Sequence, residues 1–183
     1  MDDGPEVVTQ RRIGAAFISI LLILALGGCS FSPSARERAE KSAASAINSL
    51  ATSMKMNVPG TRIGSVLKKA DLPDARVNFL VDGRPPAESP TPMGGTPNVF
   101  DSAADGQSSS IVFWLPQAAS VVSAFDESAF IYGCGSLTLD QSKRVILKDR
   151  DCPDWVREQI DAHSPQLVSL EQLLVERKGK AMW

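Results

Sequence analysis

Histidine is nearly missing: the 183-residue chain has one, His163, beside three cysteines, one tyrosine and an aromatic content of only 6%. One imidazole and three thiols are thin material for a multi-ligand metal centre, so no metal or other cofactor is expected. Neither sign of charge dominates, with 21 acidic against 19 basic side chains and a formal charge of −2. A general nucleic-acid partner is therefore not expected, since such binders carry a basic excess. Catalytic signatures are scarce too. The chain has no Gly-x-Ser-x-Gly elbow, no phosphate loop and no dinucleotide fingerprint. What it does have is 43% hydrophobic residues, enough for a folded domain of ordinary size.

The longest hydrophobic run lies at the N-terminus. Arg11 and Arg12 precede Ile13–Leu26, which contains no charged residue, and Leu26-Gly27-Gly28-Cys29 follows. A positive region, an apolar core and small residues before a cut are the parts of a secretory signal. The peptidase needs small residues there because it binds an extended backbone with little side-chain bulk. With Cys after the cut, this segment resembles the lipobox of bacterial lipoproteins. The resemblance covers residues 11–29 and is silent on the rest. It implies a signal peptide over 1–28, and a thioether from the Cys29 thiol to a diacylglycerol. It also implies acylation of the new amino group by a chain of the palmitate kind. One chain holds a membrane only reversibly, whereas two or three anchor stably. An uncleaved transmembrane helix is the competing reading, at the lower edge of spanning length. Both put residues 30–183 outside the cytoplasm.

Two further thiols, Cys134 and Cys152, have 17 residues between them. In an oxidising compartment a disulfide is the simplest use for them. Two free thiols, or a zinc site completed by His163, are the other readings; the spacing lacks a Cys-x-x-Cys pair.

Ser34 and Glu37 have capping-box spacing, and Ala39, Ala43, Ile47, Leu50 and Met54 make a thin apolar stripe. A helix is expected over 33–55. It reads either as a lipid-anchored stalk over 29–56 whose second half packs on the domain, or as a core helix along its whole length. Residues 57–183 read as one domain. Within it, Thr61–Ala70 suggests a short helix and Arg76–Asp82 a strand. Residues 83–109, with five prolines and four glycines, read as a long mobile loop. Ser110–Leu115 reads as a central strand, and Pro116 as the first turn of a helix through Asp126. Ala129–Leu139 and Arg144–Lys148 suggest a hairpin around Asp140-Gln141-Ser142-Lys143. Gly133 and Gly135 flank Cys134 and permit close approach of another segment. Cys152-Pro153 starts a helix to about Ala162, and Ser164-Pro165 a final one with Leu167, Leu170, Leu173 and Leu174 in a stripe. Arg177, Lys178 and Lys180 suit its C-terminus. Trp183 reads as docked on the domain or as touching a membrane or partner.

The fold class expected is α+β: a small, mostly antiparallel sheet of about four strands packed with helices, preceded by the signal helix and the long amphipathic helix.

Chemistry remains sparse. Ser65-Val66-Leu67-Lys68 has the Ser-x-x-Lys spacing of penicillin-recognising acyl enzymes, but their Lys-Thr-Gly and Ser-Asp-Asn runs are absent. A solvated helix face is the plainer reading, and His163 reads as a cationic helix end. Asp126, Glu127, Asp149 and Asp151 would serve a glycosidase only if they faced each other across a groove. No catalytic residue is assigned. The functional expectation is a non-enzymatic envelope lipoprotein, held at the cell membrane through Cys29 and facing outward. It would bind an envelope protein or ligand, or act as a structural subunit. The alternative is a small hydrolase of cell wall or lipid.

Overall fold

The structure, a computed structural model, describes residues 33–80, 95–122, 126–160 and 165–178. Helix α1, Ala35–Asn57, starts where the capping box places it. The Glu37 amide donates to Ser34 Oγ (3.2 Å), and the Ser34 amide donates to Glu37 Oε2 (3.0 Å). Together these satisfy two of the donors that a helix start leaves over. Arg36 and Glu40 pair one turn apart at 2.8 Å. The helix ends at Val58, whose extended backbone suits the residue before Pro59. Its inner face, from Ala39 through Ile47 and Leu50 to Met54, lies in the main core. Burial along that length fits the core-helix reading, and the helix belongs to the compact unit Ser34–Trp183.

The sheet corrects the sequence expectation. It has six strands and is mixed, rather than about four and mostly antiparallel. The strands are β1 (Asn78–Phe79), β2 (Asn98–Ala104), β3 (Ser108–Val121), β4 (Glu127–Asp140), β5 (Val145–Asp149) and β6 (Gln166–Leu167). The first five neighbour one another in sequence order, and β6 joins β4. β1 runs parallel to β2, and β6 parallel to β4. β1 lies inside the strand expected over Arg76–Asp82, whereas β6, at two residues, is too short to leave a period-two signal.

The centre is a long hairpin in which β3 and β4 stay in register from Ser108 opposite Asp140 to Val121 opposite Glu127. This replaces the helix expected from Pro116 to Asp126. Pairing with β2 stops at Asn98 opposite Trp114, so beyond that point β3 has β4 alone as neighbour among the described residues. A proline is tolerated where one side of a strand is unpaired. The expected mobile loop over 83–109 is also corrected at its end, because Asn98–Ala104 is strand β2 and Ser108 opens β3. The turn between them is built by Asp105, whose Oδ1 accepts the amides of Gln107 (2.9 Å) and Ser108 (2.6 Å). Residues 83–94 of that stretch lie outside the described ones. In place of the short helix over 61–70 stand two 3-10 turns, Gly60–Arg62 and Lys69–Asp71.

Alternation along the hairpin sends side chains to two cores. Ile111, Phe113, Leu115, Ile131, Leu137 and Leu139 face α1 and the last helix. Trp114 and Cys134 face the other way, with Phe130 and Tyr132 packed beside them. Helix α2, Asp154–Ile160, covers that second face with Val156 and Ile160. Trp155 meets Phe100 and Trp114 edge-on, at 5.8 and 6.2 Å between ring centres. Helix α3, Leu170–Lys178, packs beside α1 through Leu170, Leu173 and Leu174. The strand β6 precedes it, so Leu167 is exposed instead of joining the leucine stripe.

Candidate functional site

Of the residues singled out from the sequence, Cys134 and Cys152 are brought together. They form a disulfide, with Cα atoms 5.2 Å apart. Cys134 sits in β4 opposite Trp114, and Cys152 just before α2, so the bond staples that helix to the second face of the sheet. Both cysteines are buried in the aromatic cluster. With both sulfurs in this bond, the zinc reading loses its thiolates. Among the described residues no group of three His, Cys, Asp or Glu side chains is placed to hold a metal.

The glycines flanking Cys134 do permit a close approach, though by a different segment from the disulfide. A Cβ on Gly133 would lie 2.4 Å from Leu170 Cδ2 and 2.8 Å from the Val168 carbonyl oxygen. One on Gly135 would lie 3.1 Å from Leu170 Cδ1. Period two explains the division of labour, since Cys134 faces α2 while its neighbours face the start of α3.

The two carboxylate pairs of the hydrolase alternative are not brought together, although Asp149 and Asp151 line one groove. Glu127 begins β4, whereas Asp149 lies opposite Gly135. At about 3.4 Å per residue the two are separated by about 27 Å along the strand. Asp149 has another employment. Its Oδ1 accepts the amides of Leu170 (2.8 Å) and Glu171 (3.1 Å), and its Oδ2 accepts the Ser169 hydroxyl. In return, Glu171 Oε1 accepts the Asp149 amide at 2.8 Å. A carboxylate at a helix start satisfies free donors and opposes the positive end of the dipole. Asp149 therefore latches α3 to the end of β5.

Ser65 and Lys68 do not form a catalytic pair. The Ser65 carbonyl accepts from Ser109 Oγ (2.6 Å), and the Lys68 amide donates to Asp71 Oδ2 (2.8 Å). At the β4–β5 turn, Asp140 accepts the Ser142 hydroxyl (2.6 Å), the Arg144 amide and the Arg144 guanidinium. These bonds, led by Ser142, hold its pKa down from 3.8 to about 2. Asp105 is lowered as well, chiefly by the amides of Gln107 and Ser108. Both carboxylates shape turns. Cys29, the signal segment, His163, Lys180 and Trp183 lie outside the described residues.

One polar groove was not anticipated. It has a volume of about 560 Å³, between one flank of α1 (Ser42, Ser45, Ser49), the Asp74–Arg76 segment, the Gly95–Pro97 turn and Gln117 of β3. Gln117 forms its floor and is 3% exposed. Its Nε2 donates to the Gly95 carbonyl (2.9 Å), and its Oε1 accepts no hydrogen bond among the described residues. Gly95 has φ of 66°, and a Cβ there would lie 2.8 Å from both amide atoms of Gln117. Asp74 Oδ2 accepts from Asn57 Nδ2 (3.1 Å). Neither Asp74 nor Arg76 is in an ion pair among the described residues. The one sequence signal was serine at i, i+3 and i+7 on α1, which looks the same as a solvated helix face.

Compared with protein-family models, with curated proteins and with solved structures, the chain matches none.

Proposed function

We propose that this chain is a lipid-anchored lipoprotein of the cell envelope, facing the extracytoplasmic side and acting there as a non-enzymatic binding or structural subunit. The supporting sequence is Arg11-Arg12, the uncharged Ile13–Leu26 run and Leu26-Gly27-Gly28-Cys29. The observation that carries the reading is the Cys134–Cys152 disulfide. Structural disulfides belong to oxidising compartments, and this one leaves Cys29 as the single cysteine free for another fate. Among the described residues no helix is long and apolar enough to cross a membrane. In this reading the acyl chains do the holding, and the domain contributes a surface.

The test is Cys29→Ser, with a clickable fatty acid supplied to bacterial cells making either form. The unaltered chain takes up label and sediments with membranes; the variant takes up none and keeps its leader. Equal labelling of both forms defeats the proposal. In the unaltered chain the thiol count after denaturation without reductant should also exclude Cys134 and Cys152.

A further inference from the structure

Helix α1 and the central hairpin share a pole. At one end of the fold the Lys143 ammonium, in the β4–β5 turn, donates to the Val58 carbonyl just past the end of α1. Further back along α1, Ser42, Ser45 and Ala46 line the polar groove together with Gln117 and Ala118 of β3. Helix α1 therefore runs antiparallel to β3, and its first turn lies toward the hairpin end where Val121 faces Glu127. From Ser45 back to Ser34 is about 16 Å of helix, at 1.5 Å per residue. From Gln117 on to Val121 is about 14 Å of strand, at 3.4 Å per residue. The helix start and the hairpin end thus stand together. Cys29 is five positions before Ser34, and a chain of that length spans at most about 18 Å. The β4–β5 turn lies the length of α1 away from this pole, about 35 Å.

At the hairpin end Val122 is 91% exposed, more than any other large apolar side chain among the described residues. The ribbon that carries it has two strands only, since β3 pairs with β4 alone beyond Trp114 among the described residues. Two-stranded ribbons gain stability from a surface to pack on. We infer that this pole rests on the bilayer that holds the Cys29 acyl chains, with Val122 entering the headgroup layer. The inference rests on the lipid-anchor reading and adds the surface through which the domain meets the membrane. Residues 36–41 carry three basic and two acidic side chains, and Asp126 and Glu127 add two acidic ones. The pole is thus close to neutral, so anionic headgroups attract it little and the contact is apolar. One valine is a weak anchor by itself. A tether of five positions raises its effective concentration at the lipid, so a weak contact suffices. The Asp105 and β4–β5 turns, at the opposite pole, then face away from the membrane and are left open to a partner.

The experiment uses the full chain, taken from bacterial membranes and reconstituted into phosphatidylcholine vesicles. An environment-sensitive fluorophore is attached through Ser120→Cys, or through Gln141→Cys at the opposite pole, both exposed positions. With Cys134 and Cys152 bonded and Cys29 acylated, the introduced thiol is the one that takes the label. Lipid spin-labelled near the headgroup should quench the probe at 120 at least about threefold more than the probe at 141. Adding Val122→Asp should cut that difference at least about threefold, while acylation, sedimentation with vesicles and the unfolding midpoint stay in place. Equal quenching of the two probes overturns the inference, and so does quenching that Val122→Asp leaves unchanged. A blue shift at 120 without quenching by lipid also overturns it, because a second copy or another protein then covers the pole. Intact mass on the same sample separates the two claims. A chain without acyl groups overturns the anchor reading and this inference with it; an acylated chain with equal quenching overturns the inference alone.

Discussion

Gly133 offers the sharpest quantitative test of the packing. Replacing it with Ala puts a methyl 2.4 Å from Leu170 Cδ2, 2.8 Å from Leu170 Cγ and 2.8 Å from the Val168 carbonyl oxygen. Ordinary carbon–carbon contact needs about 3.5–4.0 Å, so the start of α3 has to move by about 1 Å or more. Leucine could swing aside, but Leu170 is fully buried and the Val168 carbonyl belongs to the backbone beside β6. Overpacking of this kind costs about 1–3 kcal/mol. Loss of glycine's freedom in the unfolded chain offsets about 0.4–1 kcal/mol. The net expectation for Gly133→Ala is about 1–2 kcal/mol of destabilisation. Gly135→Ala, with its nearest contact at 3.1 Å, should cost less, within about 1 kcal/mol of neutral. The pair Gly133→Ala and Leu170→Ala should be non-additive by about 1 kcal/mol or more, because the smaller side chain makes room for the methyl. Urea unfolding followed by tryptophan fluorescence, read with all four members of the cycle, measures this directly. Additivity within about 0.3–0.5 kcal/mol, or a neutral Gly133→Ala, would refute the close approach.

Three other outcomes follow from the same coordinates. Opening the Cys134–Cys152 bond, as Cys134→Ala with Cys152→Ala, should cost about 3 kcal/mol in urea unfolding, since the bond closes a loop of fewer than twenty residues. No loss would contradict the staple. Asp140 has a folded-state pKa near 2, below the unfolded value of 3.8. Its contribution is therefore complete above about pH 4 and disappears as pH falls through 2. NMR titration should show that value, Asp140→Asn should flatten acid unfolding in this window, and a measured value near 4 would contradict the turn geometry. Asp149→Ala should free the amides of Leu170 and Glu171, at about 1–2 kcal/mol and with faster hydrogen exchange at those two positions. Unchanged exchange would refute the latch.

The sequence made some parts of this molecule legible and hid others for identifiable reasons. Helix α1 could be read because a capping box and an apolar stripe mark its start and its face. The β4–β5 hairpin was legible because Asp140–Lys143 is a local turn that needs no distant partner. Pro116 misled, since its tolerance in β3 depends on where β2 stops, which is a tertiary fact. Asn98–Ala104 was hidden by the composition around it, though Asp105-Gly106 was a turn signal and Val99 and Phe100 an apolar pair. Asp149 could not have been identified as a cap, because its three donors are some twenty positions away in the chain. The disulfide was within reach because only two thiols remain once Cys29 is set aside. The groove draws on α1, β3 and two connecting segments, and no local pattern joins them.

The claim on which the functional account rests is that Cys29 becomes the lipidated first residue of the mature protein. Intact mass spectrometry of the chain purified from bacterial membranes tests it in one measurement. The account predicts a mass lacking residues 1–28 and raised by a diacylglycerol and an amide-linked acyl chain, with two hydrogens lost to the Cys134–Cys152 bond. An unmodified mass that still includes the Ile13–Leu26 run would contradict it.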